Sequence, residues 1–317
     1  MSSFSSEYKA CEQRYKKMDY TRPHWWTSCE DLVVDFSSSS SSTASEDPPA
    51  ARRLPLHHNV TEGAYAGPIY GLSDVPGFVY APDALSSNVQ ERLAFRCLSS
   101  YCEAPHRTNM DGSPSKCPEK ISWSTMGYNY DWTLRKYYEE QKSPFPVGLA
   151  HLSRQFARLS GDGDFSAQAS IVNYYSRKSI MGGHRDDLEL TFDKPVVSMS
   201  CGLPAIFLLG GYEKSDKAIP ILVRAGDVMI MGGESRLRFH GVAKILDRDV
   251  SLPARGRSSG TRQIMSLEPD DINLDSCGGD EHFEKERDRT LKFLEDRRIN
   301  INIRQVLPDG KESLGGG

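Results

Sequence analysis

Val196-Val197-Ser198-Met199-Ser200-Cys201-Gly202-Leu203-Pro204-Ala205-Ile206-Phe207-Leu208-Leu209-Gly210-Gly211 contains two apolar runs, each closed by glycine. Short runs of this kind, bounded by turn residues, read as buried strands. The pattern continues on both sides. Ser170–Tyr175, His184–Leu190, Ala218–Val223, Asp227–Met231 and Arg238–Lys244 are β-rich, and Gly226 and Gly232-Gly233 punctuate them. Many short strands separated by glycine turns predict an antiparallel sandwich or barrel.

Further out, the character changes. Pro82-Asp83-Ala84-Leu85 leads into a stretch with Leu85, Val89, Leu93 and Phe95 at roughly helical spacing, and Pro146 to Leu159 reads as a second helix. Residues 103–120 read as loop, and residues 121–146 are rich in aromatics. Residues 1–34 carry Tyr8, Tyr15, Tyr20, Trp25 and Trp26, which suit an arm docked on the domain. Ser37 to Ser42 is an unbroken serine run followed by a polar, proline-containing stretch, a composition expected to be a flexible linker. A long polar insertion follows Leu246, then a charged helical segment from Phe283 to Arg297 and a last strand from Ile299 to Leu307. The expected division is an arm and linker over 1–64 and helical support with a lid over 65–160. A core over 161–310 with an insertion at about 247–282 follows, then a flexible tail over 311–317.

The residues with chemistry sit within that frame. In a strand, residues i and i+2 share a face, so His184 and Asp186 can hold one cation while Arg185 points away. His240 is the candidate third ligand. Two imidazoles and a carboxylate make the facial triad of non-haem Fe(II) oxygenases, with open positions for co-substrate and dioxygen. The same His and Asp also suit a surface turn. Arg298-Ile299-Asn300-Ile301-Asn302-Ile303-Arg304 alternates, placing the polar residues on one face and the isoleucines on the other. Two arginines on an inward face need anionic partners, because an unpaired buried charge is costly, and a dicarboxylate suits the guanidinium fork. A solvated edge strand is the plainer reading. Asn173 and Tyr175 share a face upstream, with hydrogen bonds to offer a carboxylate or simply to pack.

Together these residues resemble the AlkB family of 2-oxoglutarate dioxygenases, whose pattern is N-x-Y, H-x-D, a distal His and R-x-N-x-x-x-R. Asn173/Tyr175, His184/Asp186, His240 and Arg298/Asn300/Arg304 follow it in order. Ala205 to Gly211, Gly226 to Met231 and Gly127 to Trp132 look especially like the eukaryotic AlkB homologue 1 branch. The resemblance implies an α+β fold, a double-stranded β-helix (jelly roll) with supporting N-terminal helices. It implies that His184, Asp186 and His240 bind Fe(II). Arg298, Tyr175 and Asn300 would hold the distal carboxylate of 2-oxoglutarate, with Arg304 and Asn173 near its other end. With O2 as oxidant, the implied reaction is oxidative removal of a methyl group from a nucleobase, such as 1-methyladenine in tRNA or 6-methyladenine in DNA. Formaldehyde, succinate and CO2 would be released. A base must leave its stack to reach a buried metal. The resemblance puts a recognition lid at about 121–145, where Trp123, Tyr128 and Tyr130 are candidates for stacking, with Trp132, Tyr137 and Tyr138 nearby. Aromatics at this density also build cores. Arg177 and Leu188 complete the candidate substrate contacts. The apolar Leu188 stands where other AlkB proteins place polar substrate-reading groups, which leaves the base open.

Composition bounds the rest. A net charge of -4 excludes a uniformly basic nucleic-acid binder but not a local basic surface. Arg236, Arg238, Lys244, Arg248, Arg255, Arg257 and Arg262 form such a stretch, suited either to phosphates or to plain solvation. No run approaches the roughly 20 apolar residues of a membrane span. Seven cysteines without a C-x-x-C pair fit reduced thiols and an intracellular location, whether nucleus, cytoplasm or mitochondrion. The expected partner is nucleic acid, with no membrane, and the expected state is a monomer. Two alternatives stand beside it: oxidation of a protein side chain such as histone methyl-lysine, with the same iron and co-substrate residues, and a non-catalytic jelly-roll binding module that keeps the fold but not the chemistry, against which the three suitable metal positions argue.

Overall fold

The two central runs are both strands, Val196–Gly202 and Ala205–Leu209, and they lie in different sheets. The chain crosses between sheets at Gly202, whose φ of 81° is left-handed; a Cβ there would stand 2.2 Å from Arg297 O. Glycine makes this turn without the strain any side chain would add.

The computed structural model describes residues 6–27, 33–37, 51–54, 65, 67–131, 133–254 and 280–315. Ser38 to Ser42, Trp132 and most of the expected insertion, with Arg255, Arg257 and Arg262, lie outside the described residues. In chain order the first strands are β1 (Ala51–Leu54), β2 (Ile69–Leu72), β3 (Val75–Ala81), β4 (Arg107–Thr108), β5 (Trp123–Gly127), β6 (Asn129–Asp131) and β7 (Lys136–Tyr138). Then come β8 (Ala169–Ser176), β9 (Met181–His184), β10 (Val196–Gly202), β11 (Ala205–Leu209), β12 (Ile219–Val223), β13 (Val228–Met231), β14 (His240–Ile245) and β15 (Arg297–Arg304). The helices are α1 (Glu7–Lys17), α2 (Ser87–Ser99), α3 (Val147–Ala157) and α4 (Asp280–Asp296).

Among the described residues, the larger sheet has the order β1-β2-β3-β13-β10-β15-β8-β5-β4 and the smaller the order β12-β11-β14-β9, while β6 and β7 form a separate hairpin. Their pairings are antiparallel. The strands β2, β3 and β5 share a sheet with β8, β10, β13 and β15, so the larger sheet runs across position 160. Antiparallel sheets with helices on an outer face are consistent with a jelly roll.

Three apolar layers hold this together. The outer face of the larger sheet, including Ile299, Ile301 and Ile303, packs on α2 and α3 through Val89, Leu93, Leu149, Leu152 and Phe156. Ser86 starts α2 by accepting the Val89 N–H at 3.1 Å, an N-cap that leaves the apolar face to the sheet. A second layer, with Phe78, Tyr80, Tyr175, Phe207, Met229 and Val242, lies between the sheets. In the third, Tyr8, Cys11, Tyr15, Tyr20 and Trp25 cover Ile206, Leu208, Leu222, Ala243 and Leu246 on the outer face of the smaller sheet. No helix among the described residues is long and apolar enough to cross a membrane.

The C-terminal strand is no edge. β15 pairs with β10 on one side and β8 on the other, and Arg298, Asn300 and Arg304 on its polar face are buried. It ends at Arg304, short of the expected Leu307, because the Val306 and Leu307 N–H groups turn to the Gln168 side chain.

Candidate metal centre and co-substrate pocket

His240 and His184 are direct cross-strand partners on β14 and β9, which places their rings 4.4 Å apart. Each Nδ1 meets a backbone carbonyl, Gly182 O at 3.0 Å for His184 and Arg238 O at 3.1 Å for His240. A carbonyl only accepts, so each Nδ1 carries the proton and each Nε2 presents a lone pair. Asp186 completes the group: Oδ1 is 4.0 Å from His184 Nε2, and Oδ2 is 3.8 Å from His240 Nε2. One ligand atom from each residue lies within 4.8 Å of the others. Phe207 stacks on the His240 ring at 5.9 Å.

The geometry corrects one expectation. His184–Leu190 is not a strand; β9 stops at His184, and residues 185–190 leave the ladder. Side chains hold that loop instead. Arg236 Nη1 donates to Asp186 O at 2.6 Å, and the Asp186 carboxylate accepts from Arg304. Strand alternation therefore does not govern Arg185, which lines the cavity and stacks over Phe239 at 5.0 Å rather than pointing away.

Electrostatics favour a cation here. Burial pushes the Asp186 carboxyl up, but Arg304, with His240 and His184, overrides it and holds the group well below the usual carboxylate range. Burial, with His184 beside it, pulls His240 down to about 4, so the imidazole stays neutral and ligand-ready at neutral pH.

The triad opens into a cavity of about 390 Å³, within the range of ligand pockets. Asn173, Tyr175, Arg298, Asn300 and Arg304 all line it. Arg298 is 2% exposed, and its partners are neutral: Leu203 O at 3.1 Å and Ser200 Oγ at 2.7 Å. Its Nε and the Nη1 of Arg304 are buried without a hydrogen bond. Burial pushes the Arg298 guanidinium down, a cost that an arriving carboxylate would relieve. A neutral-His, carboxylate donor set beside an arginine lacking an anion fits Fe(II) and a dicarboxylate.

The candidate substrate residues divide. Tyr130 and Leu188 line the cavity, as does Tyr137, whose ring meets Tyr130 at 5.5 Å. Trp123 and Tyr128 are not among the lining residues; Tyr128 is buried, bonded to Glu139 at 3.1 Å and covered by Lys142. Arg177 also stands apart, paired with Asp247 at 3.2 Å and Asp296 at 2.6 Å. Of the basic stretch, Arg236 is buried in an ion pair with Glu189 at 2.9 Å, and Arg248 pairs with Glu295 at 3.2 Å.

Sequence reasoning missed the Glu189–Arg236 pair, which Tyr137 joins by donating its hydroxyl to Glu189 at 2.8 Å. It also missed Arg135, which reaches Asp187 at 3.0 Å beside the cavity.

The comparisons agree with this geometry. The family model described as the 2OG-Fe(II) oxygenase superfamily matches residues 77–304. The human "Nucleic acid dioxygenase ALKBH1" is 32% identical over 266 residues, covering 75% of this chain and 66% of that protein. The Arabidopsis thaliana "DNA N(6)-methyladenine demethylase ALKBH1A" is 31% identical over 291 residues, 76% of this chain and 78% of that protein. The Schizosaccharomyces pombe "tRNA demethylase abh1" is 38% identical over 130 residues, 40% and 43% respectively. The chain belongs to the 2OG-Fe(II) oxygenase superfamily, in its AlkB branch. Fe(II) is its metal, and 2-oxoglutarate and O2 are its co-substrates.

Proposed function

We propose that this protein is an Fe(II)- and 2-oxoglutarate-dependent demethylase of methylated nucleobases in nucleic acid, acting on 1-methyladenine in tRNA or 6-methyladenine in DNA. The observation that carries the reading is the His184–Asp186–His240 cluster beside an enclosed arginine that lacks an anionic partner. Bound iron supplies the activation of dioxygen, coupled to oxidation of 2-oxoglutarate. The protein's own residues do the rest. His184, Asp186 and His240 hold the metal. Arg298, with Tyr175 and Asn300 beside it, takes the distal carboxylate. Arg304, which also fixes Asp186, takes the end nearer the metal together with Asn173.

Tyr130, Tyr137 and Leu188 supply the surface against which a base is held, since an aromatic face stacks on any base. The names of the human, Arabidopsis and fission-yeast relatives support nucleic acid as the substrate. The reading takes the chain as a monomer, and the free thiols of Cys11, Cys97, Cys102, Cys117 and Cys201 support an intracellular location.

The test is anaerobic loading with Fe(II) and 2-oxoglutarate, then air, with mass analysis of methylated tRNA and DNA oligonucleotides. Loss of a methyl mass with matching succinate supports the reading and identifies the base. Succinate with unchanged oligonucleotides, and demethylated histone peptides in parallel, overturns it in favour of a protein substrate. No metal binding and no succinate would leave a binding module.

A further inference from the structure

The two histidines stand on a thin support. β9 is the edge of the smaller sheet, and its register with β14 has two residue pairs, His240↔His184 and Val242↔Met181, with an irregularity between them. Next to each histidine is a glycine, Gly183 and Gly241, and strand alternation turns each toward the opposite face. Gly210 follows Leu209, the residue that faces His240 from β11.

One side chain fills all three gaps. A Cβ at Gly183 would lie 2.4 Å from Cε1 of Tyr8, one at Gly210 2.7 Å from its Cδ2, and one at Gly241 2.8 Å from its Oη. At Gly183 the three nearest atoms all belong to the Tyr8 ring, whereas Gly241 also meets Met181 O at 2.5 Å. Tyr8 lies in the first turn of α1 and is 3% exposed. Among the described residues its hydroxyl has no hydrogen-bond partner, so the contact is one of shape. A rigid ring braced against glycine backbone leaves an edge strand little room to slide.

We propose that Tyr8 is a positioning residue for the iron site, its ring fixing the spacing of β9 and β14, and so of His184 and His240, from the far side of the sheet. The inference rests on the metal role of the two histidines and not on the identity of the substrate. It assigns the N-terminal arm a part in metal affinity in addition to covering the core.

The experiment uses the full chain and Mn(II), which occupies the same donor set without redox turnover. Tyr8→Phe, Tyr8→Leu, Tyr8→Ala, Gly183→Ala and the double variant Tyr8→Ala/Gly183→Ala are compared. The readouts are the Mn(II) dissociation constant and the thermal unfolding midpoint. Tyr8→Phe should match the wild type, because the lost hydroxyl was unpaired. Tyr8→Leu and Tyr8→Ala should weaken Mn(II) binding about tenfold, the scale of groups that orient metal ligands. Gly183→Ala should weaken it as well, and removing the ring should restore much of that loss in the double variant. The suppression is specific to this contact. The proposal falls if Tyr8→Leu lowers the unfolding midpoint but leaves Mn(II) affinity unchanged. It falls equally if the double variant binds no better than Gly183→Ala. Should Tyr8→Ala fail to fold, Tyr8→Leu against Tyr8→Phe decides it.

Discussion

Arg304 Nη2 stands 2.6 Å from Asp186 Oδ2, with Nε at 3.2 Å from the same oxygen. The carboxylate proposed to hold the metal thus already has a cation beside it. Removing one partner of a buried pair leaves a stranded charge, at a cost of about 3–5 kcal/mol. Arg304→Met should lower the unfolding midpoint of the metal-free protein. Because Mn(II) would then be the cation at Asp186, the metal-induced rise in midpoint should be larger in the variant than in the wild type. Equal rises would mean that Arg304 does not balance Asp186. The comparison needs only thermal melts with and without Mn(II).

Among the described residues the hydrogen-bond partners of Arg298 are neutral, so a bound carboxylate would supply the anion beside it. Arg298→Gln should raise the 2-oxoglutarate dissociation constant about 10- to 100-fold, the range of a charge-assisted hydrogen bond. Mn(II) binding should hardly change. An anaerobic titration of 2-oxoglutarate reads both, and an unaltered constant would remove Arg298 from the co-substrate site.

His184→Ala and Asp186→Asn should each reduce turnover to background while preserving the circular dichroism spectrum, since His184 closes an edge strand and Asp186 lies in the loop after it, neither in the apolar core. Succinate release measures this. Retained turnover in either variant would refute the metal assignment.

Glu189 and Arg236 are buried together at 2.9 Å, with Tyr137 bonded to the same carboxylate. Each single change, Glu189→Leu or Arg236→Met, should cost about 3–5 kcal/mol, and the double change much less than the sum. Urea unfolding of the four proteins forms the cycle. Additive losses would show that the pair does not act as a unit.

Burial pushes the His106 imidazole, which meets Ser143 Oγ at 3.0 Å, below its usual range. As pH falls, the unfolded chain therefore takes up this proton before the folded one does. The contribution of His106 to stability is complete above about pH 6.5 and declines below it, until the folded imidazole also titrates. His106→Asn should flatten the loss of stability between neutral and mildly acidic pH. Unfolding curves across that range check it, and an unchanged slope would remove His106 from the acid response.

The site was legible where chemistry forces spacing. His184, Asp186 and His240 are separated in sequence but limited in kind, and the Arg298-to-Arg304 alternation marks an inward polar face. The strands themselves were legible from glycine-bounded apolar runs, because a buried strand must be short and apolar. What failed was local geometry set by distant groups. Asp186 stands outside the strand, held by Arg236 and Arg304; the alternation marked Arg304 as inward, but nothing near Asp186 in the sequence names either partner. Trp123 and Tyr128 carry the composition of a recognition surface, but composition does not tell which way a ring faces. The partners of Glu189 and Arg177 lie far along the chain, beyond the reach of periodicity.

The layer formed by Tyr15, Trp25 and their neighbours over Ile206, Leu208, Leu222, Ala243 and Leu246 has a consequence for how this family is cut and compared. The family-model match begins at residue 77, but the outer face of the smaller sheet is coded for a cover that begins seventy residues earlier. A chain trimmed to the similar region would expose a contiguous apolar patch and self-associate. A relative that lacks such an arm must carry polar residues at those five positions or borrow a cover from another molecule. In this chain the outward side chains of β11, β12 and β14 are thus written for an arm, so the two segments have to be kept together in any form of the protein meant to stay soluble.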